Sequence, residues 1–114
     1  MNDMLVHLPL REPTFFILLS LSPGPKHGYA ILKETEALSE GRVRLSTGTL
    51  YGAIKRLLDD GWIRRVDDPL PPGTKRERKA YALTEQGRRV LNAEIARLRK
   101  LVRVAQIQTA EEPL

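Results

Sequence analysis

Ser46-Thr47-Gly48-Thr49-Leu50-Tyr51-Gly52-Ala53-Ile54-Lys55-Arg56-Leu57-Leu58-Asp59-Asp60-Gly61-Trp62-Ile63 reads as one capped amphipathic helix, stopped by glycine, that feeds a strand. Leu50, Ile54, Leu57 and Leu58 share one face at helical spacing. The other face carries Gly48, Tyr51, Gly52, Lys55 and Arg56, small near its start, then aromatic, then basic. Such a face can lie in a DNA major groove, because little bulk blocks its approach and its cations meet phosphates. Ser46 is placed to cap the helix, its hydroxyl accepting from the backbone N–H of Gly48 or Thr49. The plainer alternative is an ordinary surface helix of a small domain.

The residues that follow favour the DNA reading. Trp62 to Val66 is rich in strand formers. Asp67 to Gly73 holds three prolines and a glycine and reads as a loop. Lys75-Arg76-Glu77-Arg78-Lys79 is a basic run, and Lys79 to Leu83 reads as a returning strand. Two strands joined by a basic-flanked loop directly after a helix-turn-helix make a winged helix. The expected fold is therefore mainly α with a two-stranded wing.

Upstream, Pro13 suits the first turn of a helix running to about Leu21, where its missing N–H does no harm. Phe15, Phe16, Ile17, Leu18, Leu19 and Leu21 make that helix apolar almost all round, so it should be buried on more than one side, the second burial coming from another subunit. After the turn Ser22-Pro23-Gly24-Pro25, a second helix is expected from about His27 to Leu38, with Tyr29, Ile31, Leu32 and Leu38 as candidates for its inner face. Thr84 can cap the last helix, although Gly87 stands where the glutamate of a capping box would be. In that helix Leu91, Leu98 and Ala105 fall seven apart, as do Ile95 and Val102, a heptad-like stripe projecting beyond the winged core. The alternative is packing of this stripe on the chain's own first helix; a dimer built by both helices is the favoured reading.

Four pieces of the chain resemble the PadR family of bacterial transcriptional regulators, in particular its short members with a single C-terminal helix. They are His27-Gly28-Tyr29-Ala30-Ile31, Ser46 through Tyr51, Leu57-Leu58-Asp59-Asp60-Gly61-Trp62-Ile63, and Lys79-Ala80-Tyr81-Ala82-Leu83-Thr84 with Gly87-Arg88. Their order and spacing span roughly residues 13 to 102. The resemblance implies a winged helix-turn-helix plus a C-terminal dimerisation helix: residues 1–84 a DNA-binding domain with a short N-terminal arm, 85–108 the dimerisation helix, 109–114 a flexible tail. It implies a repressor that binds a pseudo-palindromic operator as a homodimer. Thr47, Thr49, Tyr51 and Lys55 are the expected readers of bases or nearby phosphates, with Gly52 permitting close approach. Ser46, Gly48, His27 and Tyr29 complete that face, and Lys75, Arg76 and Arg78 serve the wing. Phe15, Phe16, Leu91, Ile95, Leu98, Leu101 and Val102 are the expected dimer contacts.

Composition bounds the alternatives. With 114 residues there is room for one domain, and at 41% hydrophobic it should fold. Net charge is +5, and residues 41–80 hold 10 basic and 5 acidic side chains, against 3 and 5 in residues 1–40. The cation excess sits on the helix–wing segment, the electrostatic footprint of a phosphate-binding face. No cysteine is present, so no disulfide or thiolate metal site is expected, in keeping with a bacterial cytoplasm. No signal peptide is visible, and the longest apolar run, Phe15 to Leu19, cannot span a membrane. Two histidines without cysteine argue against a metal sensor, and no catalytic constellation or nucleotide-phosphate loop is found. No metal, cofactor or enzyme activity is expected. Asp59-Asp60 and Asp67-Asp68 read as solvated, and Trp62 as a core wedge between helix and wing. A small-molecule effector is possible but unidentified; the C-terminal helix has no aromatic with which to sandwich a flat drug. The rival functions are a winged-helix protein-interaction module and a small-molecule-binding protein without specific DNA binding.

Overall fold

A computed structural model describes residues 7–67 and 79–110. The order of elements is α1 (Glu12–Ser20), β1 (Lys26–His27), α2 (Gly28–Leu38), α3 (Thr47–Asp59), β2 (Ile63–Asp67), β3 (Lys79–Leu83) and α4 (Glu85–Gln108). This is the mainly helical winged architecture that the spacing of apolar residues predicts. The start of the N-terminal arm, the wing loop with Lys75, Arg76 and Arg78, and the last residues of the tail lie outside the described residues.

The sheet differs from expectation by one strand. β2 and β3 pair antiparallel, Arg65 opposite Tyr81 and Ile63 opposite Leu83. β1 joins the other edge of β3, Lys26 opposite Tyr81 and His27 opposite Ala80, in the order β1-β3-β2. His27 therefore ends a strand instead of opening a helix; it is the extended N-cap of α2 and makes no side-chain cap bond. Two residues are too few for an alternating pattern to show in the sequence, and the strand is defined by its pairing with β3.

Ile17, Leu18 and Leu21 of the first helical segment, Ile31 of α2, Leu50, Ile54 and Leu57 of α3, and Val90 and Leu91 of α4 meet in one buried cluster, closed by Trp62, Ile63 and Tyr81. Trp62 is the expected wedge. Tyr29 is a correction: assigned to the inner face of α2, it is 69% exposed, and Leu38 is exposed as well. Ile31, expected on that face, is buried, Leu32 packs half-buried against the core, and Thr35 is buried beside them. Leu91 is a second correction. Its heptad spacing put it among the dimer contacts, yet it is 1% exposed inside the subunit's own core.

Glu94 is the one carboxylate the core takes in, among the described residues. Its Oε2 accepts the backbone N–H of Leu10 at 2.7 Å, tying the segment before α1 to α4. Arg97, one turn on, donates to both of its oxygens. The Arg97 hydrogen bond outweighs burial and, with the Leu10 N–H, holds this carboxyl below its ordinary value. A carboxylate depressed in the folded state adds stability that is complete above its unfolded pKa and is lost as pH falls through the folded value. Glu94→Gln should cost about 1.5–3 kcal/mol near neutral pH, the usual worth of hydrogen bonds to a charged group. It should also flatten the acid limb of stability; urea midpoints measured from neutrality down to strong acid, parent beside variant, check both.

Candidate nucleic-acid interface

Helix α3 is built as its sequence dictates. The Ser46 hydroxyl accepts the Thr49 N–H at 3.1 Å and donates to Thr49 Oγ1 at 2.9 Å. Leu50, Ala53, Ile54 and Leu57 are buried. Gly61, at φ 77°, stops the helix in a conformation that suits glycine. What remains outward is Thr47, Gly48, Tyr51, Gly52, Lys55 and Arg56, all exposed. At Gly48 and Gly52 a Cβ would meet nothing within 4 Å. These glycines are not demanded by packing, so their smallness serves whatever approaches from outside. Asp59 and Asp60 are solvated, and Lys55 reaches Asp59 at 3.3 Å on the surface.

The expected reading residues divide into two flanks. Tyr51 and Lys55 lie four apart and stack on one side. Thr49 lies two residues from Tyr51, about 160° around the helix from it, and shares the far flank with Arg56. Tyr51 also does more than face outward. A Cβ at Gly28 would stand 2.4 Å from the Tyr51 hydroxyl and 2.9 Å from its ring. The missing side chain of the first α2 residue is thus the space into which Tyr51 fits. Burial pushes the Tyr81 hydroxyl up, the neighbouring Tyr51 adds to this, and Arg65 opposes it. Tyr51 is therefore the joint where α3, the start of α2 and β3 meet, with 46% of its surface still open. Gly28→Ala should leave the fold standing, because a ring tip can swing aside. It should expose Tyr51 further, read as faster quenching of tyrosine fluorescence with a melting shift no larger than about 8 °C, the equivalent of 1–2 kcal/mol.

His27 and Tyr29 adjoin Tyr51 through Gly28, so the structure brings these sequence-selected residues together. Lys33 sits over the Tyr29 ring at 6.0 Å, a cation one helical turn on that sequence reading left out. Arg64 and Arg65, within the strand that the sequence predicts from Trp62 to Val66, are exposed on β2 and are absent from the expected site residues.

Away from this face, Phe15, Ile95, Leu98 and Val102 line an apolar groove of about 470 Å³ between α1 and α4, with Arg99 and Arg103 beside it. Phe16 packs edge-on against Phe15 at 5.4 Å. Leu98, Leu101 and Val102 are exposed, as are Val104 and Ile107, which heptad spacing did not select. Among the described residues no group of histidine and carboxylate side chains could hold a metal, and no helix is long and apolar enough to cross a membrane.

Comparison with known proteins settles the family. Residues 17–93 match the transcriptional regulator PadR-like family. The chain belongs to that family. Its members are transcription regulators, not enzymes. Among PadR structures, Bacillus subtilis PadR in complex with operator DNA is 28% identical with TM-score 0.65, over 75% of this chain and 47% of that one. A PadR-like transcription factor from Bacteroides fragilis is 27% identical with TM-score 0.65, over 82% and 85%. A transcriptional regulator from Clostridium thermocellum shares the fold at 22% identity and TM-score 0.66, over 93% and 94%. An uncharacterized 37.1 kDa protein in transposon Tn4556 of Streptomyces fradiae is 34% identical over 90 residues. That match takes in 79% of this chain but only 24% of the Streptomyces protein, so the chain spans about a quarter of its length.

Proposed function

We propose that this PadR-family chain is a repressor that binds a pseudo-palindromic operator as a homodimer, residues 1–84 reading DNA and residues 85–108 joining the subunits. The observation that carries the reading is the outward face of α3, where Gly48 and Gly52 leave open space beside exposed Tyr51 and Lys55. The similarity to a PadR seen on operator DNA supports it. Two copies of α3 would enter successive major grooves with half-site centres about 34–36 Å apart. Thr47, Tyr51 and Lys55 would reach bases or adjacent phosphates. Ser46 holds the helix start, and Thr49 serves the other flank. His27 and Tyr29 would meet the backbone beside α3, and Lys75, Arg76 and Arg78 of the wing would position the duplex without specifying sequence.

Selection of bound fragments from random duplex DNA by the purified protein tests this directly. Recovered fragments should share an inverted repeat. On the recovered site, Lys55→Ala should cost about 1–3 kcal/mol if Lys55 reads a base; if it meets a phosphate instead, all duplexes should weaken alike and the salt slope should flatten by about 0.9 for each phosphate no longer neutralised. Binding to every sequence with equal affinity at moderate salt would remove the operator from this reading.

A further inference from the structure

A second cavity, of about 260 Å³, opens on the flank of α3 turned away from Tyr51. Arg56 marks that flank, about 140° around the helix from Tyr51. One wall is α3, with Ala53, Arg56 and Asp60; the other is the segment leading into α1, with His7 and Arg11; Trp62 closes the end. Both ends of the outer wall are fixed. The His7 ring meets the Trp62 ring edge-on at 5.0 Å, and the Leu10 N–H is held by buried Glu94.

The lining carries an excess of positive charge, Arg11 and Arg56 against the one carboxylate of Asp60. Nearby, Arg42 is taken by Glu12 at 2.8 Å and Arg44 by Glu36 at 3.1 Å. Arg11 and Arg56, by contrast, form no ion pair among the described residues, although Asp60 stands one turn beyond Arg56. Arg11 and Arg56 both line a space roomy enough for a small oxyanion, and guanidinium is the side chain whose planar fork matches one.

We propose that this cavity binds a compact, phosphate-sized oxyanion between Arg11 and Arg56. The oxyanion comes either from solution, as a free phosphate or phosphorylated small molecule, or from a DNA backbone running past this flank of α3, the latter resting on the function proposed above.

Trp62 is the only tryptophan of the chain, so its fluorescence reports on the cavity. The test adds inorganic phosphate to the protein without DNA, against chloride at matched ionic strength. It then measures the salt dependence of duplex binding. If the anion is free, phosphate should change Trp62 emission saturably; the double variant Arg11→Gln with Arg56→Gln should weaken this at least about tenfold, and Asp60→Asn should tighten it. If the anion is a backbone phosphate, emission should stay unchanged with phosphate, and the double variant should flatten the slope of log affinity against log salt by about 0.9 per subunit, the contribution of one phosphate no longer neutralised. No phosphate response together with an unchanged slope overturns the site, as does a response that the double variant keeps in full. If the unaltered protein binds no duplex, the phosphate arm still decides the site and only the DNA reading falls. All three side chains altered are exposed, and thermal melts of each variant confirm that the fold is kept.

Discussion

Gly87→Ala is expected to lower the melting temperature by at least about 15 °C or to leave most of the chain unfolded, a loss of roughly 4 kcal/mol or more. Gly87 lies in the first turn of α4, where its N–H is capped by the Thr84 hydroxyl at 3.0 Å. A Cβ there would stand 1.9 Å from the Trp62 carbonyl oxygen and 2.8 Å from its carbon. That neighbour is backbone and cannot rotate away. It is also held: the same oxygen accepts the Thr84 N–H at 3.0 Å, and the Trp62 N–H is bonded to the Leu57 carbonyl at 3.0 Å. The Thr84 hydroxyl in turn donates to the Gly61 carbonyl at 2.6 Å. To admit one methyl, α4 must leave this corner, and Val90 and Leu91 must leave the core with it. Gly52→Ala is the matched control. It meets nothing within 4 Å and replaces a poor helix former by the best, so it should raise stability by up to about 1 kcal/mol. Calorimetric melts of the two alanine variants beside the parent measure the contrast. Equal, small shifts for both would mean that α4 does not rest on the Trp62 carbonyl.

The same corner shows what sequence reading can reach. Ser46, the apolar face of α3, Gly61 and Trp62 form a local pattern, and all of them stand where spacing put them. Gly87 was legible as a departure from the capping box and as a piece of the family resemblance; its reason is a backbone carbonyl 25 positions earlier, which no periodicity reports. Glu94 misleads in the same way. A charge within an apolar stripe reads as a solvated position, and its burial depends on a backbone N–H 84 residues away. Seven-residue spacing linked Leu91 to Leu98 as one seam. Spacing alone could not reveal where along α4 the subunit's own core ends, because that depends on how far α1 reaches beside it. Tyr51 was selected for its outward position, and the signal of its second role lay in Gly28, a small residue beside a large exposed one.

Leu98→Glu combined with Val102→Glu is expected to yield a folded chain that no longer associates at micromolar concentration, and to weaken operator binding by about 100-fold or more. The last buried side chain of α4 is Glu94, and Ile95 is half-buried; every residue from Leu98 to Ala110 is exposed in the single subunit. The helix nevertheless continues to Gln108. A helical overhang of this length, without a packed face, is marginal in water, since isolated helices shorter than ~12–15 residues gain too few bonds to offset nucleation. Its apolar surface is also continuous with the groove floored by Phe15, so the simplest cover is the same face of a second copy, α4 and α1 burying each other across a twofold axis. The folded core of the double variant should survive, because neither side chain is part of it. Operator affinity should fall because a dimer places its second α3 beside the second half-site, an effective-concentration gain of about 10²–10⁴ that a monomer forfeits. Sedimentation equilibrium and duplex binding, each on parent and variant, are the measurements. A parent that sediments as a monomer at micromolar concentration would remove this interface, and with it the two-fold operator.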